Sequence, residues 1–507
     1  MSTVVHPMGT RAVLIETANP LGLARAIAGG VEHGQLTGVI DIVPAATTVL
    51  VRFDSALNVD VPALANLTPQ VVSGSGDGQV VTIPVLYDGA DLPEVAEVSG
   101  MALEEVIAVH AAADYTVDFC GFAPGFGYLS GVPERLHVPR LASPRPRVPA
   151  GSVALAAGYT AVYPTESPGG WRLIGRTNLA MFDPHREPSS LLAPGMTVRF
   201  DPVQTLTATE GAATHTPETG SPTWHILDGG PLTLIEDLGR PGHGAIALGP
   251  SGAFDHSALR LANRLVGNAE SLPGLEVVGG GLSMRALHTT VLAAVGAGPR
   301  LRVDSISISA GTPVTVLEGQ IVDVLMPETG LRTTLALRGG IRSTAILGSC
   351  SSDTLSGVGP DPLTSGDIIL LGEPSGAMVV DHVPMVGVPS ELVLPVTPGP
   401  RSDWFGLPGW ETLLDSLFTV SPRSDRIGVR LDGPTLDRLP AAQGRELPPE
   451  GMVKGAIQVP HGGQPVILGP DHPVTGGYPV IAVVDEGDVD VLAQALPGTT
   501  VRFTTQR

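Results

Sequence analysis

The sequence predicts a mainly β protein with α+β portions: barrel-like domains in tandem, behind a small ferredoxin-like α/β subdomain at the N-terminus. Three observations point there. The 64 glycines and 48 prolines are scattered among short apolar runs with no triplet period, as turn residues between strands are. Residues 206–223 are rich in Thr, Ala, Gly and Pro, lack any apolar period, and read as a linker between two units. Three short pieces near the end of the first unit recur, in the same order, near the end of the second.

In the first unit, Ala12–Glu16 is an apolar strand-like run, followed by a helix over Pro20–Ala28 with Pro at its start. Strands follow at Gly38–Val43 and Thr48–Phe53, then a short helix at Val61–Leu67 and a strand at Gln79–Leu86. This β-α-β-β-α-β order defines the ferredoxin-like subdomain, residues 1–88. A helix spans Ala102–Ala112, where Leu103, Val106, Ile107 and His110 fall on one face. Strands between Gly and Pro turns then run to Phe200, making 89–205 a barrel-like domain. The second unit, 224–507, is mostly strands; its best helix is Ser257–Val266, with Asp255 near the N-cap. A softer break at 374–389 divides it into two lobes.

The repeat pairs Gly151-Ser152-Val153 with Gly455-Ala456-Ile457. It pairs Gly169-Gly170-Trp171 with Gly476-Gly477-Tyr478, and Pro194-Gly195-Met196-Thr197-Val198-Arg199-Phe200 with Pro497-Gly498-Thr499-Thr500-Val501-Arg502-Phe503. Each Gly-Gly-aromatic piece reads as a turn into a strand, and each Pro-Gly as a turn into a closing strand.

Composition narrows the function. At 507 residues the chain suits roughly three domains. With 43% apolar and 16% charged residues it is not disordered, and a net charge of −21 opposes nucleic acid. No apolar run is long enough to cross a membrane, and Met1–Thr10 lacks the basic start and apolar stretch of a secretion signal. Cys120 and Cys350 lie far apart without metal-type spacing, which fits a reducing cytoplasm. Lys454 is the single lysine, against 28 arginines.

Familiar motifs are missing. No Gly-Lys-Ser/Thr exists for a phosphate loop; Gly74–Gly78 reads as a hairpin turn, and Gly279–Gly281 opens no helix. There is no Gly-x-Ser-x-Gly elbow and no metal-type histidine pair, so no metal is expected. Lys454 lacks a biotin-attachment setting. The polar residues left in turn-rich segments are the candidates: His110, Ser152, Thr165, Glu166, Trp171, Arg176 and Thr177, then Asp237, Arg240, Ser251, Asp255, Asn263, Gln458, Asp471, Thr475 and Tyr478. Three also have plainer roles open to them: Asp255 as a helix cap, Asn263 as a partner for buried backbone, and Arg176 in a surface pair.

The segment 118–129 (DFCGFAPGFGYL), with 147–153 (RVPAGSV) and 167–177 (SPGGWRLIGRT), resembles the sporulation kinase inhibitor family, also called allophanate hydrolase subunit 1. The pieces 236–240 (EDLGR), 251–255 (SGAFD), 262–268 (ANRLVGN), 455–460 (GAIQVP) and 471–479 (DHPVTGGYP) resemble the antagonist family, or allophanate hydrolase subunit 2. The resemblance implies cyclophilin-like barrels, the paired domains of a urea carboxylase carboxyltransferase (C/D-type, then A/B-type). It implies the fused small subunits of an ATP-dependent 5-oxoprolinase, opening 5-oxo-L-proline to L-glutamate with a separate large subunit. ATP would phosphorylate the lactam oxygen, and biotin would enter only on a partner.

On that reading His110, Asp237 and Asp471 are the acid–base candidates, and all the other candidate residues but Glu166, with Arg176, Thr177 and Arg240 among them, bind substrate or nucleotide. Two alternatives stay open: carboxyl transfer in a biotin-dependent urea carboxylase, and a regulator that binds a histidine kinase. A homo-oligomer is compatible with either unit. The amidase lysine of true allophanate hydrolases is absent. Cys350 stands where relatives are expected to carry arginine, and Lys454 where they tolerate apolar residues.

Overall fold

A computed structural model describes residues 4–70, 80–206, 220–378, 382–385 and 387–505. Most of the expected linker, part of the 374–389 break, Gln79 and the Gly74–Gly78 turn lie outside the described residues.

The chain forms four β-rich bodies. The first is a four-stranded antiparallel sheet in which Ala12–Glu16 and Val39–Pro44 flank Thr48–Phe53, with Val4–Pro7 on the outer edge. The helix Pro20–Glu32 packs on it and runs past the expected Ala28, because Leu36 covers Gly30 and lets two glycines stay helical. Asn19 caps it, accepting from the Gly22 N–H. The strand expected to complete this subdomain, Val80–Val85, instead runs parallel to Thr197–Pro202 in the next sheet. Val4–Pro7, not foreseen, fills the fourth place in the small sheet.

The second and fourth bodies are the two expected barrels, and they match strand for strand. In the first, the order is Arg172–Arg176, Ser152–Ala156, Tyr159–Val162, Gly127–Ser130, Tyr115–Cys120, Thr197–Pro202, Val80–Val85. In the second it is Val480–Val484, Ala456–Gln458, Val466–Leu468, Gly428–Asp432, Phe418–Val420, Thr500–Thr505, Glu391–Pro398. The second ring closes fully through Glu391–Pro398 and Val480–Val484. The first closes only by a bridge between Leu86 and Arg176.

In both barrels the last strand is parallel to the first and antiparallel to the second. Both enter that last strand through a Pro-Gly turn whose glycine is left-handed, φ +91° at Gly195 and +92° at Gly498. An L side chain resists that conformation, which explains why the Pro-Gly piece recurs. The first-to-second strand crossover carries helices in each barrel: Leu92–Ser99 and Leu103–Ala111 in one, Gly406–Asp415 in the other.

Between the barrels, residues 221–371 form a sandwich of a seven-stranded and a five-stranded sheet around Trp224, Ile226, Leu275, Met284 and Leu335. The helix His256–Leu265 covers the smaller sheet through Ala258, Ala262 and Leu265.

The two halves are not beads on a string. Met8, Leu14 and Leu50 of the small sheet share one buried cluster with Met452, Leu468 and Val480 of the second barrel. Burial of each such side chain stabilises the union by roughly 1.5–3 kcal/mol relative to exposure. Arg401 adds polar contacts, reaching Glu16 at 2.5 Å as well as Glu450. Gly125 N–H of the first barrel donates to Ile246 O at the start of the second unit, 3.2 Å.

Candidate functional site

The candidates of the first unit do not converge. His110 lies at the heart of the first barrel, 0% exposed and stacked on Phe200 at 4.6 Å. Thr160 gives its hydroxyl proton to Ala154 O, so His110 Nε2–H donates to Thr160 Oγ1 (3.0 Å) and Nδ1 accepts from Tyr87 Oη (2.8 Å). Burial pushes its pKa down to about 3, so the ring is neutral at physiological pH. This is a satisfied core histidine with no nitrogen left for a substrate.

Ser152 donates to Pro149 O at 2.7 Å, and Thr177 is buried with its backbone on Gly151. Arg176 is exposed and paired with Asp88 at 2.9 Å. Thr165 is exposed, as is its neighbour Glu166, which pairs with Arg147. Trp171 belongs to an aromatic cluster, 5.5 Å from Phe126 and from Tyr128.

The second unit brings several candidates together where the sandwich meets the second barrel. Arg426, 2% exposed, is the hub. It grips Asp471 with two nitrogens (Nε–Oδ2 2.8 Å, Nη2–Oδ1 3.0 Å) and donates to Glu276 Oε1 (2.7 Å) and Gly252 O (2.7 Å). Glu236 Oε1 lies 3.2 Å from it. Asp471 also accepts from Ser251 Oγ (2.8 Å) and from the Thr354 hydroxyl (2.6 Å) and N–H (3.0 Å). Beside this, Asp237 accepts from Ser349 Oγ, Ser351 Oγ, Cys350 N–H and Gly239 N–H, all at 2.6–2.8 Å. Its carboxylate is saturated and organises the 349–351 turn. At Cys350 the contact is a backbone N–H, which any residue supplies, so replacing an arginine there leaves this anchor intact.

Arg240 is 1% exposed and donates through Nη2 to Ser351 O; its Nε and Nη1 have no hydrogen-bond partner among the described residues. Burial lowers its pKa, opposed by Asp353, Asp237, Glu236 and Asp471 around it. Glu236 is raised well above the ordinary carboxyl range, first by burial, with Asp471 and Glu276 repelling its charge against the pull of Arg426. Asp471 and Glu276 move the other way despite burial, because Arg426 holds them ionised. The cluster therefore disfavours the charge of Glu236 while it favours those of Asp471 and Glu276. It holds the sandwich and the barrel in register, with the Ser251 and Thr354 hydroxyls engaged on Asp471.

Thr475 borders the junction: a Cβ on Gly121 of the first unit would lie 2.4 Å from its Oγ1. Gln458 is nearby, donating to Met452 Sδ, while Tyr478 is half exposed against His461 at 5.7 Å. Asp255 caps the helix His256–Leu265 through Ala258 N–H, and Asn263 donates to Leu272 O and accepts from Asn268. These two do the plainer work. Among the described residues no group of His, Cys, Asp or Glu could hold a metal ion, and no helix is long and apolar enough to cross a membrane.

Comparison with known families fixes the setting. A model of the carboxyltransferase domain, subdomains C and D, matches residues 3–192, and one of subdomains A and B matches residues 246–505. The chain belongs to the carboxyltransferase domain family. It is 35% identical over 283 residues to the 5-oxoprolinase C subunit of Escherichia coli K12, a match covering 55% of this chain and 89% of that protein. It is 38% identical over 204 residues to the 5-oxoprolinase B subunit of Escherichia coli O157:H7, covering 38% of this chain and 94% of that protein. The crystal structure of TTHA0988 superposes with a TM-score of 0.87 at 34% identity, covering 98% of this chain and all of that one.

In this carboxyltransferase chain, Asp237 and Arg240 fall between the two matched ranges, on the loop that follows the sandwich strand Leu232–Glu236. Sequence reasoning missed Arg426, Glu276 and Asp353. Arg426 sits in an ordinary turn 45 residues from Asp471, and only the pairing of Gly428–Asp432 with Val466–Leu468 brings them together.

Proposed function

We propose that the chain is the fused pair of small subunits of an ATP-dependent 5-oxoprolinase, working with a separate large subunit to open 5-oxo-L-proline to L-glutamate. One observation carries this reading: relatives named as two different 5-oxoprolinase subunits match 55% and 38% of the chain, each over about nine-tenths of its own length. The shared core between the halves supports it, since two subunits that act together gain from being one body.

The arginines singled out for nucleotide do not form an open anion site among the described residues. Arg176 is committed to Asp88 and Arg240 is enclosed. Nucleotide handling is accordingly assigned to the assembly and not to these side chains. A carboxyl-transfer role has weaker support, from the family's description and from a urea amidolyase of Saccharomyces cerevisiae that is 32% identical over 296 residues but matched over only 16% of its length, and it would need a biotin carrier from elsewhere. The kinase-binding role is disfavoured, because an inhibitor that shares a core with its antagonist cannot be released from it.

The test is reconstitution. Purified chain and large subunit together, with ATP, should convert 5-oxo-L-proline to L-glutamate, and neither alone should. Glutamate formation by the large subunit alone at the same rate would refute the assignment.

A further inference from the structure

A cleft of 490 Å³ opens where three bodies meet. Its walls are apolar: Leu21, Ala28 and Val31 from the first helix, Ile40 and Pro44 from the small sheet, and Pro194 from the first barrel. The second unit closes it with Gly242 and Ala245. Neither half alone completes it. Its size is in the range of small-molecule sites, which are mostly apolar with a few placed polar groups.

The polar groups here are Arg25, Asp41 and Glu32. Arg25 is half-buried and makes no ion pair or hydrogen bond among the described residues, although Glu32 lies two turns further along the same helix. Its guanidinium rests on Gly195, where a Cβ would come within 2.4 Å of Nη2, so only glycine lets it lie there. Asp41 is 8% exposed, accepts from Gly244 N–H at 3.2 Å, has Arg52 as a distant counter-ion at 4.0 Å, and its charge is also favoured by the Gly242 N–H and by His243.

We infer that this cleft binds a small ring carboxylate, with Arg25 gripping the carboxylate, the apolar walls taking the ring, and Asp41 facing the ring's polar edge. The choice of 5-oxo-L-proline as its ligand rests on the function proposed above; the carboxylate chemistry does not. A guanidinium held without an acid partner at the mouth of an apolar cleft is a carboxylate receptor. Asp41, whose pKa burial raises, faces a lactam edge that offers both an N–H and a carbonyl. The loop that supplies Gly242 and Ala245 continues to Ser251 and begins at Asp237, so occupancy of the cleft bears directly on the buried cluster.

Calorimetry on the full chain with three probes tests this. 5-Oxo-L-proline and cyclopentanecarboxylate should bind, the former tighter, and 2-pyrrolidinone, which lacks the carboxylate, should not. Arg25→Gln should weaken both carboxylates by about tenfold or more, the loss of one charge-assisted contact. Gly195→Ala, which displaces the guanidinium, should do likewise, and unchanged thermal unfolding of Arg25→Gln certifies its fold. Equal affinity in Arg25→Gln and wild type overturns the inference, as does a wild type that binds no probe or binds 2-pyrrolidinone as well as the acids. The function proposed above is judged by glutamate formation instead, so either can fail alone: turnover that survives Arg25→Gln with unchanged binding sinks only the cleft.

Discussion

Arg426 is the sharpest place to test the electrostatics of the buried cluster. It faces three carboxyl groups, of which Asp471 and Glu276 are held ionised while burial and these two neighbours push the Glu236 pKa up. Unit charges about 4 Å apart attract by roughly 4 kcal/mol at an effective dielectric of 20. Replacing Arg426 by Gln removes two such attractions, partly offset because the stranded carboxylates can take up protons. Removal of one partner from a buried pair costs about 3–5 kcal/mol in practice, and that is the expected loss at pH 7. Glu236→Gln should behave differently. A glutamine keeps the size of Glu236 and removes only a charge that burial and its acidic neighbours disfavour, so the change should stay within about 1 kcal/mol. Urea unfolding followed by tryptophan fluorescence measures both, since Trp224 lies in the sandwich and Trp404 in the second barrel that the cluster bridges. Equal destabilisation by the two variants would show that the Glu236 charge is as well stabilised as those of Asp471 and Glu276, contradicting the upward push on its pKa.

Three other expectations follow from named contacts. The His110 ring should show no titration above pH 5 in NMR, because burial holds its pKa near 3; a titration near 6.5 would restore it as an acid–base candidate. Asp255 titrates near 6, above its unfolded value, so its contribution is complete below about pH 4 and lost as pH rises through 6. Asp255→Asn keeps the cap, so wild type should lose roughly 3 kcal/mol relative to it between pH 4 and 7; a flat difference counts against the shift. Gly121→Ala should cost about 1–3 kcal/mol by pressing on Thr475 Oγ1, and much less in a Thr475→Ala background. Simple additivity in that cycle would place the strain elsewhere.

Local patterns in the sequence reveal the strands, the helix at His256–Leu265 and the duplicated barrel, because each rests on neighbours in the chain. The Pro-Gly turns at Gly195 and Gly498 are legible for the same reason: a left-handed position demands glycine wherever it occurs. The strand Val80–Val85 misled because pairing partners are not local. Its apolar alternation says strand, but only the closing Thr197–Pro202 decides which sheet it joins. The helix Leu92–Ser99 went unseen, being a short helix within the crossover to the next strand. Among site residues, the Asp471 and Ser251 pair came from motifs, yet Arg426, which holds Asp471 ionised, carries no sequence signal. Asp255, Asn263 and Arg176 show the converse: polar residues in suggestive motifs that serve a cap, a buried backbone and a surface pair.

Coupled turnover tests the 5-oxoprolinase assignment most directly. ATP hydrolysis by the purified chain mixed with the large subunit should be low alone and rise when 5-oxo-L-proline is added, with L-glutamate appearing alongside. ATP hydrolysis indifferent to 5-oxo-L-proline, or stimulation by urea with a biotin carrier in its place, would contradict it.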